Sequence, residues 1–176
     1  SISRISIGRI KIKMYPLILE YEDAISLDDL SYMINVSKGS TESDWSKMNE
    51  PDTNGEFWNN KRMLLDDCVL PSWHEKIVSL RSEIDFVEIT EPRKVQRFNY
   101  LDSLGPLTDA EHVPSIRYGS ILFLNEPQGA EIYFPKINYK VAAKTNKLVV
   151  YGGNQEYIIR GPEGAEPLYF STVFMS

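Results

Sequence analysis

Hydrophobic and polar residues change rhythm twice along this chain. Ile2, Ile5, Ile7, Ile10 and Ile12 fall mostly two apart, with Ser, Arg and Lys between them. That β pattern predicts a strand or extended arm over residues 1–14. Tyr15-Pro16-Leu17 interrupts it, and a helical rhythm follows. Ser26 is placed to cap a helix with Asp28 and Asp29 in its first turn. Leu27, Leu30, Met33 and Ile34 supply the apolar face and Gly39 the stop. A second helix is predicted from Pro71-Ser72, with Ser72 and Glu75 spaced as a capping box and Trp73, Ile77, Leu80 and Ile84 in one stripe. His74 sits beside that stripe and reads as a surface residue. From residue 93 the rhythm becomes that of strands, predicted near 93–101, 117–125, 130–134, 139–143, 147–151, 155–160 and 167–175 between Gly, Pro and Asn turns.

Residues 40–60, between the helices, are polar, contain Pro51 and Gly55, and carry Trp45, Phe57 and Trp58. They predict a long loop with its own aromatic anchors, a kind of loop that is uncommon in compact domains and often functional. Two helices followed by seven short strands predict a mainly β, α+β domain: a double-stranded β-helix (jelly roll) with both helices packed on one sheet. The 176 residues make one domain, with an arm over 1–14, a helical and loop support region over 15–92 and the β core over 93–176.

Composition narrows the partners. A net charge of −6 leaves no clustered cation surface for phosphates, so no nucleic acid is expected. The short basic run from Arg4 to Lys13 reads as the solvated face of the N-terminal arm. The single cysteine, Cys68, excludes an internal disulfide, and Asp66 and Asp67 beside it disfavour a reactive thiolate. No apolar run reaches the length of a membrane span and the N-terminus lacks a signal-peptide core, which predicts a soluble, non-secreted protein. Only His74 and His112 are present, so acid/base chemistry that needs imidazole rests on one of them.

One stretch carries more than a fold. Ile121-Leu-Phe-Leu-Asn-Glu-Pro-Gln-Gly-Ala-Glu-Ile-Tyr-Phe-Pro135 is a strand, a tight turn at Pro127-Gln128-Gly129, and a second strand ending in Phe-Pro. It resembles the core signature of prolyl-4-hydroxylase-like 2-oxoglutarate/iron dioxygenases, a YLN strand followed by a GGET-type turn and FP. Val95-Gln-Arg-Phe-Asn-Tyr100, Lys147-Leu-Val-Val-Tyr151, Ile159-Arg160-Gly161 and Leu168-Tyr-Phe-Ser-Thr-Val-Phe174 are similar to further strands of that family. By motif the resemblance covers residues 93–176, and small forms of the family are common in phages and bacteria.

The resemblance implies Fe(II) and 2-oxoglutarate, yet the residues it implies are missing. A His-x-Asp pair belongs in Gly105-Pro-Leu-Thr-Asp-Ala-Glu-His112, which has none. The distal histidine falls on Ile159, or on Glu156 or Tyr157 in a shifted register. The basic residue for the far carboxylate of 2-oxoglutarate falls on Leu168. A facial iron site needs two imidazoles and a carboxylate, and a buried co-substrate carboxylate needs a paired cation. Isoleucine and leucine provide neither, and strand alternation turns Arg160 away from Ile159. Asp109, Glu111 and His112 are the alternative metal set, suited to Mg²⁺, Ca²⁺ or Mn²⁺, with a solvated acidic loop as the plainer reading.

Three functions follow as expectations. The first is a non-catalytic structural or interaction protein without a cofactor, in a homo- or hetero-oligomeric assembly with other protein subunits. Ile2, Ile5, Ile7, Ile10, Ile12, Trp45 and Trp58 would serve that assembly; its setting would be the cytoplasm or a phage virion, as a neck, tail or capsid accessory component. The second is an active Fe(II)/2-oxoglutarate hydroxylase with a rearranged site. The third is a carbohydrate-binding jelly roll that stacks sugars on Trp45, Trp58 and tyrosines.

Overall fold

The computed structural model describes residues 17–47, 62–65, 71–89 and 95–176. The isoleucine-rich arm over 1–14, Phe57, Trp58 and Cys68 lie outside the described residues. Eleven strands and three helices are described: β1 Ile18–Tyr21, α1 Leu27–Gly39, β2 Ser46–Lys47, β3 Arg62–Leu65, α2 Pro71–Ser79, β4 Val95–Phe98, β5 Ser103–Leu107, α3 Asp109–His112, β6 Tyr118–Phe123, β7 Glu131–Phe134, β8 Tyr139–Ala142, β9 Lys147–Gly152, β10 Tyr157–Arg160 and β11 Leu168–Met175. All strand pairs are antiparallel. The large sheet has the order β1-β9-β6-β11-β4-β3-β2 and the small sheet β5-β10-β7-β8. The eight strands from β4 to β11 divide four and four between the two sheets. This is the double-stranded β-helix that the strand spacing predicts.

Side-chain alternation explains why the large sheet is apolar on both faces. Ile121 and Phe123 of β6, Val149 and Tyr151 of β9, and Leu168 and Phe170 of β11 face inward to the small sheet. Leu122, Leu124, Leu148, Val150, Tyr169 and Val173 face outward, where Leu30 and Met33 of α1 and Trp73 and Ile77 of α2 cover them. Trp73 is fully buried there, and its indole N–H donates to Ser171 Oγ at 3.0 Å. The predicted stripe Trp73, Ile77, Leu80 and Ile84 is buried throughout.

Both helix starts were legible, with one correction each. Ser26 caps α1 by accepting from the Asp29 amide, but Leu27, expected on the apolar face, is 71% exposed. Ser72 does not close a box with Glu75. Pro71 itself opens α2, and Asp29 Oδ2 accepts from both the Ser72 amide (3.0 Å) and its hydroxyl (2.5 Å). The first turn of α1 thus caps α2 across the helix pair.

Two strands that shape the barrel escape the periodicity. β1 follows the Tyr15-Pro16-Leu17 break and sends Ile18 inward and Leu19 outward, so it reads as a short apolar run rather than an alternation. β5 contains Gly105 and Pro106, residues that read as a turn. The strand survives because it is the edge of the small sheet, where a proline costs no ladder bond. Gly105 has φ +107° and a Cβ there would lie 2.5 Å from the Tyr157 carbonyl oxygen, so glycine lets β5 lie against β10.

Candidate functional site

Of the residues implicated by the sequence, Asp109 and Tyr157 meet where β5 runs into α3 and pairs with the start of β10. Leu107 and Tyr157 are directly opposite in the β5–β10 pairing. Thr108 turns the chain, and Asp109 opens the single turn of α3 with its side chain inward. The Ala110 amide donates to the Gly153 carbonyl at 3.0 Å, which fastens this turn to the end of β9.

Asp109 is a buried carboxyl, only 5% exposed. The Tyr157 hydroxyl donates to its Oδ1 at 2.5 Å, in the range of a charge-assisted O–H···O bond. Tyr151 packs its ring on Tyr157 at 4.8 Å between centroids and on Phe134 at 5.7 Å. Gly119 on β6 makes room for this cluster, since a Cβ there would sit 2.3 Å from Asp109 Oδ2 and 2.5 Å from the Tyr151 ring. Burial first, and the Asp109 carboxylate second, hold the phenol groups of both Tyr151 and Tyr157 well above the usual tyrosine range. Both stay protonated near neutral pH, so Tyr157 is a hydrogen-bond donor rather than a phenolate ligand.

Ile159 and Leu168 are 1% and 0% exposed and lie in one apolar cluster with Phe98, Phe123, Ile132 and Phe170. Phe98 and Phe170 meet edge-on at 5.0 Å between centroids. The interior next to the two expected ligand positions is therefore packed hydrocarbon. Arg160 points away, as alternation predicts: it pairs with Glu131 at 3.0 Å and lies over the Tyr133 ring. Arg97, on β4 beside β11, turns to the outer face, to Glu42 and the Trp45 ring.

The alternative metal set does not assemble. Asp109 points inward while Glu111 and His112 are exposed on the same short turn. Among the described residues no group of three or more His, Cys, Asp or Glu side chains is placed to hold a metal. His74, the other histidine, is exposed on α2, in the layer outside the large sheet. The residues present thus do not fit Fe(II) with 2-oxoglutarate: one carboxylate is held by a phenol, and leucine occupies the expected anchor position.

Trp45, expected in assembly or sugar stacking, is 5% exposed and packs on Tyr169. It anchors its loop to the core and presents no stacking face. Trp58 and Ile2, Ile5, Ile7, Ile10 and Ile12 lie outside the described residues. The sequence assigns Tyr151 and Gly119 no part in a site, although Tyr151 closes the Lys147–Tyr151 segment that resembles the family. The signal for them is weak, because a buried tyrosine in a strand looks like any other core aromatic.

Fold and site together define a double-stranded β-helix whose described interior is lined by buried apolar side chains. No protein-family model and no curated protein matches the chain. Solved structures do. The viral collagen prolyl hydroxylase of Paramecium Bursaria Chlorella virus-1, in its 2-oxoglutarate complex, aligns with a TM-score of 0.63 at 13% identity over 90% of this chain and 94% of that one. A Trichoplax adhaerens prolyl hydroxylase, in complex with a hypoxia-inducible-factor peptide, aligns with a TM-score of 0.67 at 11% identity, over 90% and 82% of the two chains. A Pseudomonas putida prolyl-4-hydroxylase gives 0.66 at 9% identity, over 90% and 91%. The chain has the fold of the prolyl-4-hydroxylase-like 2-oxoglutarate/Fe(II) oxygenases, as its Ile121–Pro135 signature implies.

Proposed function

We propose that this chain is a non-catalytic interaction protein built on the dioxygenase scaffold. The observation that carries this reading is the state of the interior: Tyr157 holds Asp109, and Ile159 and Leu168 are packed into hydrocarbon. An iron triad needs imidazoles where the chain places aliphatic and phenolic side chains, and a co-substrate carboxylate buried beside Leu168 would meet no cation. The fold itself is equally that of an active enzyme, so the side chains and not the topology support the choice. Function then lies on the outside, in contacts with other protein subunits. A phage virion setting has no residue of the fold behind it.

The test is anaerobic loading with Fe(II) and 2-oxoglutarate, followed by metal analysis and succinate measurement in air. We expect no stoichiometric iron and no succinate above a protein-free control. Bound iron together with succinate release would establish the hydroxylase reading instead. Light scattering and cross-linking on the same sample address assembly, and a monomer that captures no protein partner would remove the interaction role.

A further inference from the structure

We propose that residues 1–14 of one copy dock on the Tyr100–Leu101 end of a second copy's barrel, so that the chain assembles head to tail. This names the partner in the interaction reading and rests on it. Tyr100 and Leu101 follow β4 and are 60% and 63% exposed, the one pair of adjacent exposed large hydrophobic residues among the described residues. Leu101 has φ +57°, a left-handed backbone that a bulky side chain seldom adopts. Its surroundings enforce it: the Leu101 amide donates to the Pro162 carbonyl at 3.0 Å, and the Gly161 amide to the Asp102 carbonyl at 2.6 Å. Strain held by neighbours in this way is characteristic of binding and switch regions. Here it keeps two apolar side chains in water.

The chemistry around this turn selects the occupant. The Glu163 amide donates to the Gln128 carbonyl at 2.9 Å and Asn125 Nδ2 to the Pro167 carbonyl at 2.8 Å, which ties the loops after β6 and β10 together. Those loops carry Glu126, Glu163 and Glu166, all exposed, and no Lys or Arg. None of the three makes an ion pair among the described residues. An apolar pair beside such carboxylates fits a segment in which isoleucines alternate with cations. Residues 1–14, outside the described residues, are that segment by sequence: five isoleucines with Arg4, Arg9, Lys11 and Lys13 between them and no carboxylate. The rest of the chain holds all 25 carboxylates against 15 cations, the 19 less these four, a net charge of −10. The two features stand at opposite ends of the barrel. Leu17 lies at the α3 end, where its carbonyl accepts from the Gly152 amide at 3.2 Å and the Gly153 carbonyl accepts from Ala110. Along β10, Tyr157 faces Leu107 at that end and Arg160 faces Ser103 at the other, where Gly161 meets the turn after β4. A contact between two copies is therefore heterologous and repeats. The edges of the small sheet are a poorer dock, since β5 carries Pro106 and β8 carries Lys140, residues that blunt an edge.

Sedimentation and light scattering of the full chain, over a wide concentration range and at low and high salt, test the contact. Wild type is expected to grow in mass with concentration, and high salt to weaken that growth. Two variants each remove one side. Arg4→Glu/Arg9→Glu/Lys11→Glu/Lys13→Glu alters the segment, and Tyr100→Ser/Leu101→Asn alters the barrel end, where asparagine suits the left-handed backbone. Each alone should weaken self-association by roughly tenfold or more. An equimolar mixture of the two should give a 1:1 dimer and nothing larger, because one intact segment then meets one intact barrel end. Glu163→Lys/Glu166→Lys should also weaken association, and should regain it when combined in one chain with the four segment substitutions. A monomeric wild type overturns the contact, as does association that neither variant changes. So does a mixture that stays monomeric or grows past a dimer, or absence of the charge-swap rescue. Bound iron with succinate release by the wild-type chain would sink the non-catalytic reading alone, since this surface lies at the end of the barrel away from Asp109.

Discussion

Replacing Tyr157 by phenylalanine isolates the bond at the centre of the candidate site. The ring stays, so no cavity opens; only the hydroxyl that donates to Asp109 at 2.5 Å is lost. Hydrogen bonds to charged groups contribute about 1.5–3 kcal/mol, and a buried acceptor that loses its donor keeps its desolvation cost. With Asp109 only 5% exposed, water does not readily replace the phenol. We expect a loss of about 2 kcal/mol, or a Tm lower by roughly 4–8 °C for a chain of this length. Tyr151→Phe is the matched control. Its hydroxyl is equally buried and interacts electrostatically with Asp109 and Tyr157, but it makes no hydrogen bond of ordinary geometry among the described residues, so its removal should cost less than that of the Tyr157 hydroxyl. Urea unfolding read by far-UV circular dichroism, with the m-value checked for two-state behaviour, separates the two. Equal losses, or a larger loss for Tyr151→Phe, would refute the idea that Asp109 is held by Tyr157.

Alkaline pH tests the same cluster. The Tyr151 and Tyr157 phenols ionise well above 10 when folded and near 10 when unfolded. Their contribution is therefore complete below pH 10 and is lost as pH rises toward the folded values. The slope is about −1.4 kcal/mol per pH unit for each phenol. The urea midpoint should fall more steeply between pH 9 and 11 in wild type than in Tyr151→Phe/Tyr157→Phe, and parallel curves would contradict the assignment. Gly119→Ala should cost about 1–3 kcal/mol by overpacking, since its methyl would lie 2.3 Å from Asp109 Oδ2; an unchanged melting temperature would mean the carboxyl is not seated against β6.

Much of the fold could be read from the sequence because its strongest signals are local. Seven of the eight barrel strands stand where turn residues bracket short apolar runs, and the helix caps at Ser26 and Pro71 fall within a residue of prediction. Four described strands were missed: β2, which falls inside the predicted loop 40–60, β3, β1 and β5, and the last two fail for identifiable reasons. β5 carries Gly105 and Pro106, which an edge strand tolerates and a central strand does not. β1 is buried on both sides, so its alternation disappears into an apolar run. Ser72 shows the limit of reading caps locally, because its partner Asp29 is 43 residues away.

The site was harder to read than the fold, and the difficulty is one of register. Whether position 157 or 159 meets Asp109 cannot be derived from spacing alone, since both point to the same face of β10. The β5–β10 pairing decides it, and a register shift falls between Tyr157 and Ile159. Once the pairing is known, the interior can be judged as a whole. A barrel interior serves either as a ligand cavity, which must keep polar groups and volume free, or as a core, which must fill both. Here Phe98, Phe123, Phe134 and Phe170 fill the volume, and the one buried carboxyl among the described residues, Asp109, is bonded to a phenol. Each of those choices strengthens the core at the expense of a cavity. The Tyr157–Asp109 bond in turn ties the start of β10 to α3, so the buried carboxyl contributes to the scaffold as a cross-link between elements.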